Sequence, residues 1–311
     1  MFLVGCSGAI STPPGDGGTP LDAGTADSGL ADAGLADAGL ADAGVVADAG
    51  PTDSGFPDAG PVDAGPADAG RVDSGVPDAG GCSAAFCDSF EKYDAGSPPR
   101  GPWSNSVQGG TVLIDTTKSH SGTRSVRVTT DGTQAYRRAY FSLGAPFFPI
   151  AGNAYYGRMW VFLTAAPAMT THWTNISGEG TATSNATSFT AYVRYGGQVA
   201  KHLMANYDSS VFNSDCWQHS TVAFPEGKWS CMEWHFDGPN SKMEFWLDSA
   251  QIPALTVNQS GQGCIANELN GKWVMPVFST LRLGWEHYQT SIPIELWVDD
   301  VALDVSRVGC Q

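Results

Sequence analysis

From residue 125 onward the chain alternates apolar and polar positions in short runs. SVRVTT (125–130), YRRAYFSL (136–143), YYGRMWVFL (155–163), FTAYVRYG (189–196), HSTVAF (219–224), CMEWHFDG (231–238), KMEFWLDS (242–249) and LRLGWEHY (281–288) are β-rich, and Gly, Pro, Asn, Asp or Ser separates them. No segment keeps a long 3.6-residue apolar period. The pattern predicts an all-β sandwich, and a jelly roll is the usual design at this length. The run IELWVDDVALD (294–304) sets a problem of its own. Alternation puts Glu295, Trp297, Asp299 and Val301 on one face and Leu296, Val298, Asp300 and Ala302 on the other. One carboxylate must then sit among packed side chains, and burial demands a compensating cation, a cluster of donors or a shifted pKa.

Composition divides the chain near Cys82. Between Asp16 and Asp78 there are thirteen Asp, no Glu and one base, Arg71, so residues 1–81 carry −12 of the net −16. All ten Trp follow residue 81, so only residues 82–311 have the side chains to build a core. Repeats such as ADAG, VDAG and PDAG, mostly five residues apart, are too short and too poor in bulky residues for a solenoid. Residues 7–81 are expected to be a disordered acidic tether with a reach on the order of 50 Å. With no Lys/Arg cluster, the charge excludes nucleic acid as a partner.

Residues 1–6 end in Leu3-Val4-Gly5-Cys6, which resembles a bacterial lipobox. The resemblance implies an acylated Cys6 anchoring the chain to a lipid membrane, and Ser7 after it resembles the type sorted to the outer membrane. The stretch before Cys6 is short for a signal peptide, which puts the true start upstream. The expected location is the bacterial cell envelope, with the protein displayed at the surface or secreted. The other six Cys (Cys82, Cys87, Cys216, Cys231, Cys264 and Cys310) form an even set that fits three disulfides in an oxidising compartment. Spacing alone leaves fifteen pairings open, and the scattered single Cys disfavour zinc.

Several motifs recur in order: GGTVLIDTTKSHSGTRSVRV (109–128), YYGRMWVFLTAAPAMTTHW, YVRYGGQ, WSCMEWHFDG, FWLDSAQIPALTV, LRLGWEHY and LWVDDVALDVSRVGC. Through them the chain from about residue 86 to its end resembles the core domain of the fungal cellulose-induced protein family, a β-jelly roll similar to glucuronan lyases. The resemblance implies a structural calcium ion held at Glu91, Ser121, Arg124 and Asp299. Arg124 stands where the family usually has Asn, and an Arg side chain has no acceptor to offer. Glu91 and Asp299 are hard oxygen donors from opposite ends of the domain, so a shared ion would join the first strand to the last. The resemblance also implies a Cys231–Cys310 disulfide and leaves Cys82–Cys87 and Cys216–Cys264 for the other four.

The same resemblance places Arg194 and Gln198 in a cleft, with His172 facing it and Tyr207 after a bend. Tyr192 stands where the family has His. If the strand alternates, Tyr192 and Arg194 share a face, and Gly196-Gly197 would bend the chain to return Gln198 to it. β-Elimination from a uronate polymer needs a cation for the C6 carboxylate, a base for the C5 proton and an acid at the departing oxygen. Arg194 and Gln198 suit the first task and His172, Tyr192 or Tyr207 the others, with Arg194 expected to depress the Tyr192 pKa. Trp234, Phe236, Phe245, Trp246 and Trp285 suggest core packing or a sugar-stacking cleft. Glu233 and Glu286 are the carboxylates that could pair for glycoside hydrolysis. The reading favours a monomeric, surface-displayed polysaccharide-binding domain recognising plant or uronic-acid polysaccharide. The alternative is a calcium-stabilised polysaccharide lyase acting on glucuronan-like polymers.

Overall fold

The computed structural model describes residues 82–168 and 170–311. Cys6, the lipobox and the acidic repeats lie outside the described residues. Seventeen strands form in chain order: β1 (Phe86–Asp88), β2 (Trp103–Gln108), β3 (Gly110–Asp115), β4 (Ser125–Thr130), β5 (Arg137–Leu143), β6 (Ala154–Leu163), β7 (Trp173–Ser184), β8 (Thr187–Gln198), β9 (His202–Ser209), β10 (Asp215–Ala223), β11 (Trp229–Asp237), β12 (Lys242–Leu247), β13 (Ala250–Gln251), β14 (Val257–Asn258), β15 (Gly263–Ile265), β16 (Val277–His287) and β17 (Ile294–Asp304). They make two antiparallel sheets. The first runs β13-β12-β11-β6-β17-β4-β3, with β1 also paired to β17 and β14 to β12. The second runs β15-β10-β9-β8-β7-β16-β5-β2. This is the expected all-β jelly-roll sandwich.

The core fills the space between the sheets, and alternation decides which side chains enter it. Trp234 and Phe236 of β11 point inward, as do Val193 and Tyr195 of β8 and Leu283 and Trp285 of β16, while Glu233 and His235 belong to the outward set of β11. The aromatics suggested for a sugar cleft are therefore mostly core: Trp234, Phe236, Phe245 and Trp285 are at most 1% exposed. Trp246 lies on the outer side of its sheet beneath the Arg307 guanidinium.

Strand β7 has the sequence WTNISGEGTATS, with few bulky residues, yet it lies at the centre of its sheet. Close approach explains the composition. A Cβ at Gly178 would meet the Phe236 ring at 2.8 Å, and one at Gly180 would meet the Val277 carbonyl at 1.9 Å.

Strand β17 breaks the expected alternation. Asp300 has φ +46°, and the register with β6 shifts between Asp299 and Ala302. Leu296 and Val298 enter the core before this bulge, and Val301 and Leu303 enter it afterwards. Val301 thus joins the face opposite to the one alternation assigned, and Asp299, not Asp300, is the wholly buried carboxylate.

All six Cys of this region form disulfides, Cys82–Cys87, Cys216–Cys264 and Cys231–Cys310. The second directly bridges opposed positions of β10 and β15, and the third ties the C-terminal segment to β11. Three disulfides point to an extracytoplasmic protein.

Candidate functional site

Two polar constellations stand out, one on each sheet. The first surrounds the loop between β3 and β4. Asp299 Oδ2 accepts the amide hydrogens of His120 (2.8 Å) and Ser121 (3.2 Å), and Oδ1 accepts that of Asp300 (2.8 Å). The Glu91 carboxylate takes the next amides, from Thr123 (2.8 Å) and Arg124 (2.7 Å), together with the Thr123 hydroxyl (2.8 Å). The two carboxylates therefore grip one short segment on either side of Gly122. That glycine has φ +58°, and a Cβ there would lie 2.5 Å from Glu91 Oε1.

Asp300 completes the constellation. It pairs with His120 Nδ1 at 2.6 Å and accepts the Ser121 hydroxyl at 2.7 Å, while the His120 ring stacks on Trp160. Burial, with Asp300 beside it, pushes the Asp299 carboxyl up to about 7, against the pull of three backbone hydrogen bonds. No cation among the described residues relieves that charge. Hard carboxylate oxygens and a buried carboxylate of raised pKa suit a cation such as calcium, beside a cavity of about 590 Å³ whose wall includes Glu91, Ser121, Gly122 and Asp300 but also Arg158 and Arg307, and not Asp299. Arg124 does not fit as a side-chain ligand, because its Nη1 donates to the Glu91 carbonyl.

The second constellation covers the outer face of the eight-stranded sheet. Strand β8 sends Ala191, Val193 and Tyr195 into the core, so Tyr192 and Arg194 face away from it. Pairing is regular to Gln198↔His202, which puts Gln198 on that outer face by alternation alone, without a bend at Gly196-Gly197. A Cβ at either glycine would strike Trp173 or its backbone, so close packing rather than curvature requires them.

Cross-strand register extends the face. Opposite Tyr192 are Glu179 and Asp208, opposite Arg194 are Ser177 and Asn206, and Trp217 lies opposite Asn206. Arg282 pairs with Glu179 at 3.0 Å and Arg194 with Asp208 at 3.5 Å. Arg194 Nη1 also donates to Asn206 Oδ1, and Asn206 Nδ2 to Asp215 Oδ1 at 2.8 Å. On the far side Glu286 accepts the hydroxyls of Tyr136, Tyr140 and Tyr288.

His172 lies at this face, its ring 4.7 Å from that of Tyr288. Burial, with Arg194 and His219 nearby, drops its pKa to about 3, so the imidazole is neutral at ordinary pH. Its Nε2 is shielded from solvent and has no hydrogen-bond partner among the described residues, and the same holds for Arg194 Nε.

Three sequence expectations are corrected here. Tyr207 does not join Arg194: it pairs with Val193, on the opposite parity, and its buried ring contacts Trp273 while its hydroxyl donates to the Val274 carbonyl. The Tyr192 hydroxyl is raised, not depressed, because burial and Glu179 outweigh Arg194, whose guanidinium stacks over the Tyr192 ring at 4.6 Å. Glu233 and Glu286 cannot act as an acid pair, since they belong to different sheets and Glu233 is tied to Arg307. Cys231, Glu233 and Cys310 do lie together, but both sulfurs are in one disulfide and offer no thiolate to a metal.

Sequence reasoning passed over Glu179, Arg282, Asp208 and the tyrosines around Glu286. A signal for some of them was present. In LRLGWEHY, Arg282, Gly284, Glu286 and Tyr288 fall on alternate positions.

Comparison with known proteins agrees with this architecture. The family model described as polysaccharide-lyase-like, Cip1-like core domain, matches residues 98–306. Among solved structures, "Cellulose induced protein, Cip1" is 24% identical with a TM-score of 0.54, over 73% of this chain and 100% of that one, a likeness that shows the fold. The binding domain of botulinum neurotoxin DC in complex with rat synaptotagmin II is 11% identical, over 66% of this chain and 44% of that one, with a TM-score of 0.39. A sialidase is 8% identical, over 66% and 17%, with a TM-score of 0.36. These last two are too remote to carry an argument. No curated protein matches the chain.

Proposed function

Because the chain belongs to the Cip1-like core-domain family of polysaccharide-lyase-like proteins, we propose that the outer face of its eight-stranded sheet binds a polysaccharide chain and that the domain is a binding module. One observation carries this reading. Tyr192, Arg194, Gln198, Asn206, Trp217 and Tyr288 come together on one sheet face as half-exposed rings beside amides and a guanidinium. Such a surface suits sugars, whose C–H faces pack on aromatic rings while their hydroxyls take polar partners. From β10 to β5 the face crosses five inter-strand steps, about 24 Å, room for several sugar units.

Lyase action on a uronate polymer is the second reading, favoured by the neutral His172 ring in contact with Tyr288. Two features weigh against it. A His with a pKa near 3 is a feeble base, and the Arg194 guanidinium is already engaged by Asp208 and Asn206.

In the same proposal a calcium ion at Glu91, Ser121 and Asp299 is structural, fastening β1 and the β3–β4 loop to β17, and it takes no part in chemistry. Acylation at Cys6 would display the domain on a bacterial outer membrane through the acidic tether.

Incubating the full chain with glucuronan and neutral polysaccharides separates the readings. Retention on polysaccharide without unsaturated uronate product, followed by ultraviolet absorbance, supports a binding module. Product formation that disappears in Arg194→Ala would establish the lyase.

A further inference from the structure

The charges on the binding face point to the class of sugar it takes. Four carboxylates (Glu179, Asp208, Asp215 and Glu286) stand against three guanidiniums (Arg138, Arg194 and Arg282) on the outer face of the eight-stranded sheet. Two of these cations are already committed: Arg282 to Glu179 at 3.0 Å, and Arg194 to Asp208 and Asn206. Arg138 lies directly opposite Glu286 in the β5–β16 register. Neither His172 nor His219 adds positive charge, because burial lowers both pKa values and leaves the rings neutral at ordinary pH. The carboxylates of Glu179 and Asp215 are partly desolvated, and burial raises both.

A polyuronate brings one carboxylate per sugar. Each would need a cation, and here it would meet two guanidiniums already paired to carboxylates, a third, Arg138, set opposite Glu286, and carboxylates in excess. An uncharged chain asks only for ring faces and for donors and acceptors to its hydroxyls. Tyr192 and Trp217 supply faces, while Gln198 and the exposed edge of the paired Asp208 carboxylate supply polar partners.

We infer that the face selects an uncharged glycan and rejects polyuronates. The inference rests on the polysaccharide-binding reading above and deepens it. Ion pairs such as Arg194–Asp208 then act as a selectivity element, holding a cation that would otherwise welcome an anionic sugar.

Calorimetric titration of the full chain tests this with xylan and glucomannan oligosaccharides as neutral probes and with glucuronan and polygalacturonate oligosaccharides of matching length. Neutral probes are expected to bind at least about tenfold more tightly than uronates, roughly the effect of one like-charge contact near a protein surface. Their affinity should change little between low and moderate salt. In Asp208→Asn, which frees Arg194, and independently in Glu179→Gln, which frees Arg282, the ratio of uronate to neutral affinity should rise about fivefold. Thermal melting verifies that both variants are folded. Tighter, salt-weakened binding of uronates by the wild type would overturn the inference, as would an unchanged ratio in both folded variants. Failure to bind any of the four probes would remove the polysaccharide-binding reading itself, and the selectivity with it.

Discussion

The two sheets treat carboxylates in opposite ways. On the nine-stranded sheet Asp299 is wholly buried, supported by backbone amides and left without a cation, and its pKa climbs to about 7. On the eight-stranded sheet Glu179 and Asp208 are held by guanidiniums on a half-exposed surface. A buried carboxyl that only amides support would gain from an ion from outside, the fastening proposed above. Charges paired within a surface suit a ligand that brings none. Variants at the first site should therefore move stability, and variants at the second should move binding.

The largest effect is expected from Asp299→Ala in calcium. It removes the buried carboxylate that accepts the amides of His120, Ser121 and Asp300, at a cost of about 5 kcal/mol, which melting curves would register as a drop of about 10–20 °C. Chelation comes next and acts through pH. Asp299 has its carboxyl raised from 3.8 to about 7, so its stability contribution is complete below the ordinary carboxylate range and is lost as pH rises through 7. Chelated protein should lose on the order of 4 kcal/mol between pH 4 and pH 8 from this group, and added calcium should flatten the profile. A melting temperature independent of both calcium and pH would remove the fastening from the comparison. Smaller is Gly122→Ala, about 2 kcal/mol, because a Cβ there strains a positive φ and meets the Glu91 carboxylate.

On the other sheet the readout changes. Trp217→Ala should weaken neutral-glycan binding about tenfold, and Gln198→Ala about threefold, each with a stability change near or below about 1 kcal/mol. Should either variant cost several kcal/mol and leave affinity intact, the division of labour between the sheets would fail.

Much of this was legible in the sequence, and what was missed has local causes. Alternation put Trp234 with Phe236 on one face, leaving core or cleft open, and Tyr192 with Arg194 on one face, and both pairings hold because β11 and β8 are regular where these residues lie. It failed at β17, where the Asp300 bulge reverses parity for Val301, a backbone event that apolar pattern cannot announce. It also missed β7, where glycines demanded by Phe236 and Val277 dilute the strand signal. Tyr207 looked like a cleft residue until the register set it opposite Val193. The Glu286 cluster draws Tyr136 and Tyr140 from β5 and its approach, some 150 residues away in sequence, a convergence that only topology supplies. Family resemblance selected Arg194 and Gln198, but it gave no hint that Asp208 and Glu179 occupy the cations beside them.

The most direct test is a calorimetric titration of one neutral xylan oligosaccharide into the wild type and the double variant His172→Ala/Trp217→Ala, with a melting curve for each. Binding by the wild type and its loss in a variant that still melts cooperatively within a few degrees would place recognition on the eight-stranded sheet. Equal affinity in both proteins would contradict that placement.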